Sequence, residues 1–318
     1  MKLRKIMALA LALILCVGTI STLASCKKEN QYTVGVLQLV QHEALDAATK
    51  GFKDAIIAEL GEENVTFIEQ NAQGDSAACS TIAADFVSKN VDLIMANATP
   101  ALQAAANATA DIPILGPSVT AYDVALELKD FNGTVGGNIS GTSDLAPLDQ
   151  QAQMILDLFP SAKTVGLLYC SAEPNSTYQV AEVSKYLESK GVTAKKYSFA
   201  DSNDVASVAA KAAADSDVLY IPTDNTAASC TEAINGAIGN TPVIAGEPGI
   251  CSGCGVATLG ISYYDLGVTT GKMAVKILKG EANVSEMPIE YATPTKMYNK
   301  AKCAELGVTV PEDYKEIS

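Results

Sequence analysis

A single order of short apolar runs and amphipathic segments occurs twice along this chain, and few folds accommodate such a repeat. "YTVGVLQLV" reads as a strand, and "EALDAATKGFKDAIIAEL" repeats apolar residues at helical spacing. "NVTFIEQ" (strand), "DSAACSTIAADFVSK" (helix), "VDLIMANA" (strand), "PALQAAANAT" (helix) and "IPILGPSV" (strand) follow. The order then restarts with "AKTVGLLYC", "STYQVAEVSKYLESK", "VTAKKYSFA", "NDVASVAAKAAA", "DVLYIPT", "AASCTEAINGAI" and "TPVIAG". "VDLIMANAT" corresponds to "SDVLYIPTD" at an offset of 125 residues (Asp92 to Asp217). "DIPILG" corresponds to "NTPVIAG" at 129 (Pro113 to Pro242). Short strands separated by helices imply parallel sheets of right-handed βαβ units. Their repetition predicts two similar α/β lobes rather than one continuous sheet. "NGTVGGNISGTSDLAPLDQQ", rich in Gly, Ser and Thr, reads as a crossover between them. A last helix, "YDLGVTTGKMAVKILKG", and the tail "MPIEYATPTKMYNKAKCAELGV" recross and complete both lobes. The expected limits are 32–142 with 263–288 for the N-terminal lobe and 143–262 with 289–318 for the C-terminal lobe.

The first residues supply an address. Lys2, Arg4 and Lys5 precede the apolar run "IMALALALILCVGTISTLAS", which ends at Cys26 in "LASC". A charged start, an apolar core and small residues before the cut are the parts of a secretory signal, here residues 1–26. The Leu-Ala-Ser-Cys ending resembles the bacterial lipobox. That resemblance implies lipidation of Cys26 and attachment to the membrane through the lipid, the alternative being an ordinary signal peptide with a coincidental cysteine. Residues 27–318 then carry a formal charge of −17, since the signal holds three of the positive charges behind the whole-chain −14. A chain this acidic repels phosphate backbones, and nucleic acid is excluded as a partner.

Six cysteines follow Cys26: Cys79, Cys170, Cys230, Cys251, Cys254 and Cys303. "CSGC" at 251–254 is expected in a Gly-rich turn, where a local disulfide or free thiols are favoured over redox chemistry. Zinc needs two further ligands, and no second close Cys or His pair exists. No metal and no cofactor is expected.

In open parallel sheets, ligands bind beyond the C-terminal ends of the strands. Two facing lobes therefore bring "QLVQHE", "QNAQGD", "NATPA" and "PSVTAYD" against "YCSAEPNST", "PTDNTA" and "GEPG", with "GTSD" from the crossover. These junctions are heavy in hydroxyl, amide and acidic residues and nearly free of Lys and Arg. Turn formation and helix capping account for part of that composition. The sole histidine, His42, has no Gly-x-Ser-x-Gly elbow to serve, and no Walker loop or dinucleotide fingerprint occurs. Asp75, Asp144, Glu173, Asp224 and Glu247 could supply the paired acids of a hydrolase. The simpler use of acids in a cleft poor in bases is to bind an ammonium group. Sugar sites favour Trp stacking, and this chain has none. Hydroxyl donors at helix N-termini suit a carboxylate. Leu39, Val40, Leu45 and Tyr122 could form an apolar wall.

The lipobox, "GVLQLVQHEALDAATKGF", "QNAQGD", "GGNISGTSDLAPLDQQ", "IPTDNT" and "YYDLGVTTGKMAVKILKGE" together resemble the substrate-binding lipoproteins of ABC importers. The branch is the tryptophan/tyrosine-binding one, of type I periplasmic-binding-protein fold, and the likeness runs from about Tyr32 to Pro311. It implies two Rossmann-like lobes joined by a three-strand hinge, closing on one small molecule without catalysis. Its partners would be an ABC permease and a cytoplasmic ATPase. Its location would be the outer face of the cytoplasmic membrane, in a Gram-positive cell. By position, the resemblance assigns ligand binding to Gln38, His42, Gln73, Thr99, Thr142, Ser143 and Asp144. In the second lobe it assigns Glu173, Asn175, Ser176, Asp224, Asn225 and Glu247. Asp224 or Glu173 is expected to take an ammonium, Thr99, Thr142 or Ser143 a carboxylate, and His42 to sit at the rim. "GEPGICSGCGVA" and "GPSVTAYDVALELKDFNG" depart from the family's pattern beside the cleft. A sugar or nucleoside receptor, a ligand sensor and a cleft hydrolase remain alternatives to an amino-acid receptor.

Overall fold

The computed structural model describes residues 31–317, so the signal segment and Cys26 lie outside the described residues. In the first half, β1 (Tyr32–Gln38), α1 (Glu43–Leu60), β2 (Val65–Asn71), α2 (Ser76–Ser88), β3 (Leu93–Asn97), α3 (Thr99–Ala108), β4 (Ile114–Gly116), α4 (Tyr122–Ala125) and β5 (Ile139–Ser143) alternate. The second half runs α5 (Leu148–Leu158), β6 (Thr164–Cys170), α6 (Pro174–Ser189), β7 (Thr193–Phe199), α7 (Val205–Ala214) and β8 (Val218–Ile221). It continues with α8 (Asn225–Ser229), α9 (Thr231–Ile238), β9 (Val243–Ala245), α10 (Pro248–Cys254) and β10 (Ala257–Gly260). The return comprises α11 (Tyr263–Leu278), β11 (Glu290–Tyr291), β12 (Thr295–Tyr298), α12 (Lys300–Leu306) and β13 (Lys315–Glu316).

These strands form two sheets, ordered β11-β5-β4-β3-β1-β2 and β13-β12-β10-β9-β8-β6-β7. Every pairing is parallel except that of β12 with β10. Five consecutive strands have the same order in both, 2-1-3-4-5 against 7-6-8-9-10, which is the structural form of the repeat read in the sequence. Alternating side chains feed opposite faces of each sheet. In the first, Val34, Val36, Leu93 and Met95 pack with Phe52 and Met273, while Leu37, Ile94 and Ala96 pack with Phe86 and Leu102. In the second, Val165, Leu167, Val218 and Tyr220 face Ile155 and Val183, and Leu168, Leu219 and Ile221 face Ala209 and Ile234. Strands covered on both faces read as continuous apolar runs, and these do.

The chain passes between the sheets three times: after β5, after β10 and between β11 and β12. Residues 132–138 are irregular as expected of a crossover, but the "ISGTS" that follows is a buried strand of the first sheet, between β4 and β11. "AASCTEAINGAI" is broken into α8 and α9 at Cys230, where the backbone leaves helical geometry. "CSGC" differs from expectation. It closes the helix α10 instead of lying in a turn, because Glu247 and Pro248 start a helix that carries through both glycines.

Helix α11 returns to the first lobe and lies against α1 at backbone contact. A Cβ on Gly267 would sit 2.0 Å from the Ala48 carbonyl oxygen, and one on Gly51 would sit 2.2 Å from that of Tyr264. Only two bare backbones approach so closely. The Gly267→Val substitution is therefore expected to destabilise the domain by about 1–3 kcal/mol through overpacking, measured by thermal melts followed by circular dichroism. A melting temperature equal to the wild type would show that the helix pair is not the tight contact described.

Candidate ligand-binding site

The carboxyl ends of both sheets point at one seam between the lobes, and the side chains at those ends are polar and buried. Gln38, Thr99, Thr142, Ser143, Asp144, Glu173, Asn175, Ser176, Asp224, Asn225 and Glu247 are all buried. His42 is half-buried, and Gln73 is exposed on the turn after β2. The helices of the second lobe explain much of this chemistry. Asp224 is the N-cap of α8: its Oδ1 accepts the Ala227 N–H at 2.8 Å, and its Oδ2 accepts the Cys170 N–H at 2.6 Å. Glu247 caps α10, accepting the N–H of Gly249 at 2.6 Å and that of Ile250. Glu173 precedes α6 but turns to the start of α8. Its Oε1 accepts the Thr226 N–H and Oγ1–H, both at 2.8 Å. Its Oε2 accepts the Asn225 N–H (3.1 Å), Asn225 Nδ2–H (2.7 Å) and Asn175 Nδ2–H (3.2 Å).

Four carboxyl groups thus share one desolvated region. Burial raises the Asp144 carboxyl above its usual range, and Glu173 adds to the shift. Burial and then Glu173 raise Asp224. Burial pushes Glu247 up to about 7 despite its two backbone donors. The ion pairs among the described residues are all at the surface, and none involves these acids. Burial also lowers the pKa of His42, while its hydrogen bond to Asn225 and the charges of Glu173 and Asp46 oppose the shift.

In the first lobe and crossover, several hydroxyls and amides are spent internally. Thr142 Oγ1 donates to Pro117 O at 2.6 Å, and Ser143 Oγ donates to Thr120 O at 2.8 Å. Gln38 bonds Val40 O, Asp46 and Thr49, which holds the start of α1. Other groups are left over. Asp144 Oδ2 accepts from Tyr263 Oη at 2.9 Å, but its buried Oδ1 has no partner. Ser118 Oγ and Asn175 Oδ1 are likewise buried and unpartnered. Helix α3 begins in the seam without a side-chain cap, because the N-cap position is Ala98. That residue is held at φ +96°, ψ +160°, a conformation that costs a non-glycine residue about 1–3 kcal/mol.

Cavities open between the lobes. The roomiest, about 490 Å³, lies between Glu43, Ala44 and Ala47 of α1 and Glu247, Pro248 and Met297 of the second lobe, and two others are smaller. One, about 210 Å³, lies between Leu39, Val40, Gln73 and Pro100 on one side and Cys170, Glu173 and Thr226 on the other. A second, about 230 Å³, is bordered by His42 and Glu43 opposite Ser229, Gly249 and Ser252. Leu39 and Val40 thus line a cavity, as expected of an apolar wall. Leu45 and Tyr122 do not: both are core, and Tyr122 Oη donates to Gly116 O at 2.6 Å. Among the described residues no cluster of His, Cys, Asp and Glu could hold a metal ion. Cys251 and Cys254 are unpaired and buried, and burial pushes the Cys254 thiol up to about 12, so it holds almost no thiolate at neutral pH.

Sequence reasoning missed the residues that shape the seam from behind. Gln151 donates to Gly246 O and Leu259 O and accepts from Tyr220 Oη at 2.6 Å, binding three elements of the second lobe. Gln179 grips the Thr223 backbone at both N–H and C=O. Both sit on helices at positions that read as ordinary exposed amides. Tyr263 had a signal, standing one residue beyond the Ser262 cap after β10.

The family described as ABC transporter substrate binding protein matches residues 33–316. A tyrosine-binding protein of Clostridioides difficile (strain R20291) is 36% identical over 265 residues, 82% of this chain and 76% of that protein. The crystal structure of an ABC domain in complex with L-Trp from Streptococcus pneumonia is 33% identical, with a TM-score of 0.86 over 91% of this chain and 100% of that one. The ligand-free, open structure of a substrate-binding protein with adhesive properties from Clostridium difficile is 37% identical over 90% of this chain and 99% of that one. Its TM-score is only 0.67. The more identical relative superposes less well, so the lobes here are arranged as in the tryptophan complex rather than as in the open form. A solute-binding protein from Thermotoga lettingae in complex with 5-methylthioribose, at 15% identity and a TM-score of 0.63, shares the fold alone. With two parallel sheets of matching order, three crossings and a buried polar seam, the chain belongs to the ABC transporter substrate-binding proteins of type I periplasmic-binding-protein fold.

Proposed function

We propose that the protein captures a free aromatic amino acid, tyrosine or tryptophan, between its lobes and delivers it to a membrane permease driven by a cytoplasmic ATPase. The observation that carries the reading is the unpartnered, buried Oδ1 of Asp144, set two strands away from the uncapped start of α3. Neighbouring strands lie about 4.8 Å apart, so the two sites are separated by about 10 Å. That span admits a zwitterion with a hydrogen bond at each end. Asp144 takes the ammonium, and the α3 N-terminus with Thr99 and Ser118 takes the carboxylate. The side chain lies against Leu39, Val40 and Pro100, with Gln73 at the edge. Glu173, Asp224 and Glu247 favour a cation through their charge while holding α8 and α10. Asn175 offers its free Oδ1, and Ser176 and Asn225 complete the second-lobe wall. The tyrosine and tryptophan named for the relatives agree with this size and charge.

In the same reading Cys26 carries the lipid, and the domain stands on the outer face of the cytoplasmic membrane. The lobes divide at 32–142 with 263–288 and 143–262 with 289–318, Glu290–Tyr291 being the segment of the second group that pairs with the first sheet.

Thermal-shift screening of refolded protein against amino acids, sugars and nucleosides tests the proposal. Stabilisation by tyrosine or tryptophan of about 2.7 kcal/mol is expected at a hundredfold excess over Kd. Stabilisation by a sugar or nucleoside alone would overturn the ligand class. Asp144→Asn should weaken binding by about 1.5–3 kcal/mol, roughly ten- to hundredfold, through loss of a charge-assisted hydrogen bond.

Binding should also depend on pH. An ammonium needs ionised carboxylates, so affinity should rise as pH climbs through the elevated pKa values of Asp144 and Glu247. Stability without ligand has the opposite sign. For Glu247 the folded state holds the proton more tightly than the unfolded chain, so stability present at low pH is lost as pH rises from about 4.5 towards 7. The ligand-induced rise in melting temperature is therefore expected to be larger at pH 8 than at pH 5. An equal rise at both would show that these acids do not sense the ligand.

A further inference from the structure

Few directional interactions cross the seam. Among the described residues no ion pair joins the lobes. Away from the three crossovers, one side-chain hydrogen bond does: His42 Nε2 lies 3.3 Å from Asn225 Oδ1. His42 is the N-cap residue of α1 in the first lobe, yet its ring caps nothing there. Asn225 opens α8 in the second lobe, and both its backbone and its side chain are fixed by Glu173. That anchoring settles the proton positions. Glu173 Oε2 already accepts the Asn225 backbone N–H, and the Asn225 amide nitrogen faces it at 2.7 Å, so the amide oxygen faces His42. His42 must then donate from Nε2, and in the neutral ring Nδ1 is a bare lone pair, buried and unpartnered.

We propose that His42 is a positioning residue, a latch that holds the lobes shut by donating Nε2–H across the mouth to an Asn225 pre-aimed by Glu173, and so governs how slowly ligand leaves. The inference rests on the closure reading above, and it gives His42 a task separate from selecting the ligand. The latch forms only after the lobes meet, so its loss acts on opening and not on encounter. The two smaller cavities flank this point, with Ser229 bordering both, so breaking the bond opens a path between the inner cavity and the mouth.

Stopped-flow binding and displacement with L-tyrosine, on the folded 27–318 domain, test it. His42→Ala is expected to raise the dissociation rate five- to twentyfold and leave the association rate within twofold. His42→Gln, whose amide can still donate, should recover most of the slow release. Asn225→Ala should also speed dissociation, and the double variant should release ligand no faster than the quicker of the two single ones. An unchanged dissociation rate in His42→Ala would overturn the latch. So would a change confined to the ratio of tyrosine to phenylalanine affinity, which would make His42 a ligand contact. Wild-type protein that binds no aromatic amino acid would sink the proposed function instead. Small-angle scattering of the ligand-free proteins then decides the latch separately. A larger radius of gyration for His42→Ala than for wild type supports it, and identical profiles overturn it.

Discussion

Asp144, Glu173, Asp224 and Glu247 are buried along one seam with no lysine or arginine as a partner. Taking a carboxylate out of water costs several kcal/mol even after the protein relaxes around it. The fold meets that cost with backbone N–H groups. Parallel sheets deliver each strand into a helix, every helix start has unsatisfied donors, and Glu173, Asp224 and Glu247 accept from them. The acids therefore complete the second lobe as much as they prepare it for a ligand. Asp144 is the exception. It follows β5 in a crossover, where no helix start is available, and Tyr263 satisfies only one of its oxygens.

An asymmetry between the lobes follows. The second lobe caps α8 and α10 with acids and presents negative charge to the seam. The first lobe leaves α3 uncapped and presents the positive end of a helix. A zwitterion complements both, whereas an anion or a neutral sugar complements at most one. The same two-layer topology, run twice, thus produces opposite electrostatics by changing one residue type at a strand end: Ala98 after β3 against Asp224 after β8.

Much of this was legible because strand ends are visible as places where apolar runs stop. Helix α1 follows its predicted limits of Glu43 and Leu60, bounded by the extended His42 and by Gly61 at φ +83°. The repeat offset located both sheets. What escaped has physical reasons. β5 reads "ISGTS", which looks like a loop. It is a strand because Gly141 lets it press against Gly116, where a Cβ would sit 2.1 Å from the carbonyl oxygen. α10 contains two glycines and reads as a turn, yet Glu247 and Pro248 supply a start that composition does not weigh. In the site, the positions were readable and the partners were not. Whether Glu173 faces a ligand or the next helix depends on the direction of one side chain and on an α8 start 52 residues away. Periodicity carries no such information. Gln151 and Gln179 were invisible for the same reason.

Ala98 links the fold to the site. Its backbone lies in a region that glycine enters freely and alanine does not. The surroundings over-determine it: Ala98 is fully buried, α3 packs beneath β3, and Asn97 donates to Leu45 O and to Thr49, pinning the strand end to α1. The turn therefore aims the first N–H groups of α3 into the seam instead of letting the backbone relax away. Strain of this kind persists where the packed elements on either side leave the residue no alternative. In this chain the two elements are α1, which also carries His42 to the mouth, and α3, which opens on the seam. The start of α3 and the His42 ring thus share one support, the packing of α1 across β1 and β3. On the proposed function, closure and ligand binding draw on that same packing, and no long-range path between them is needed.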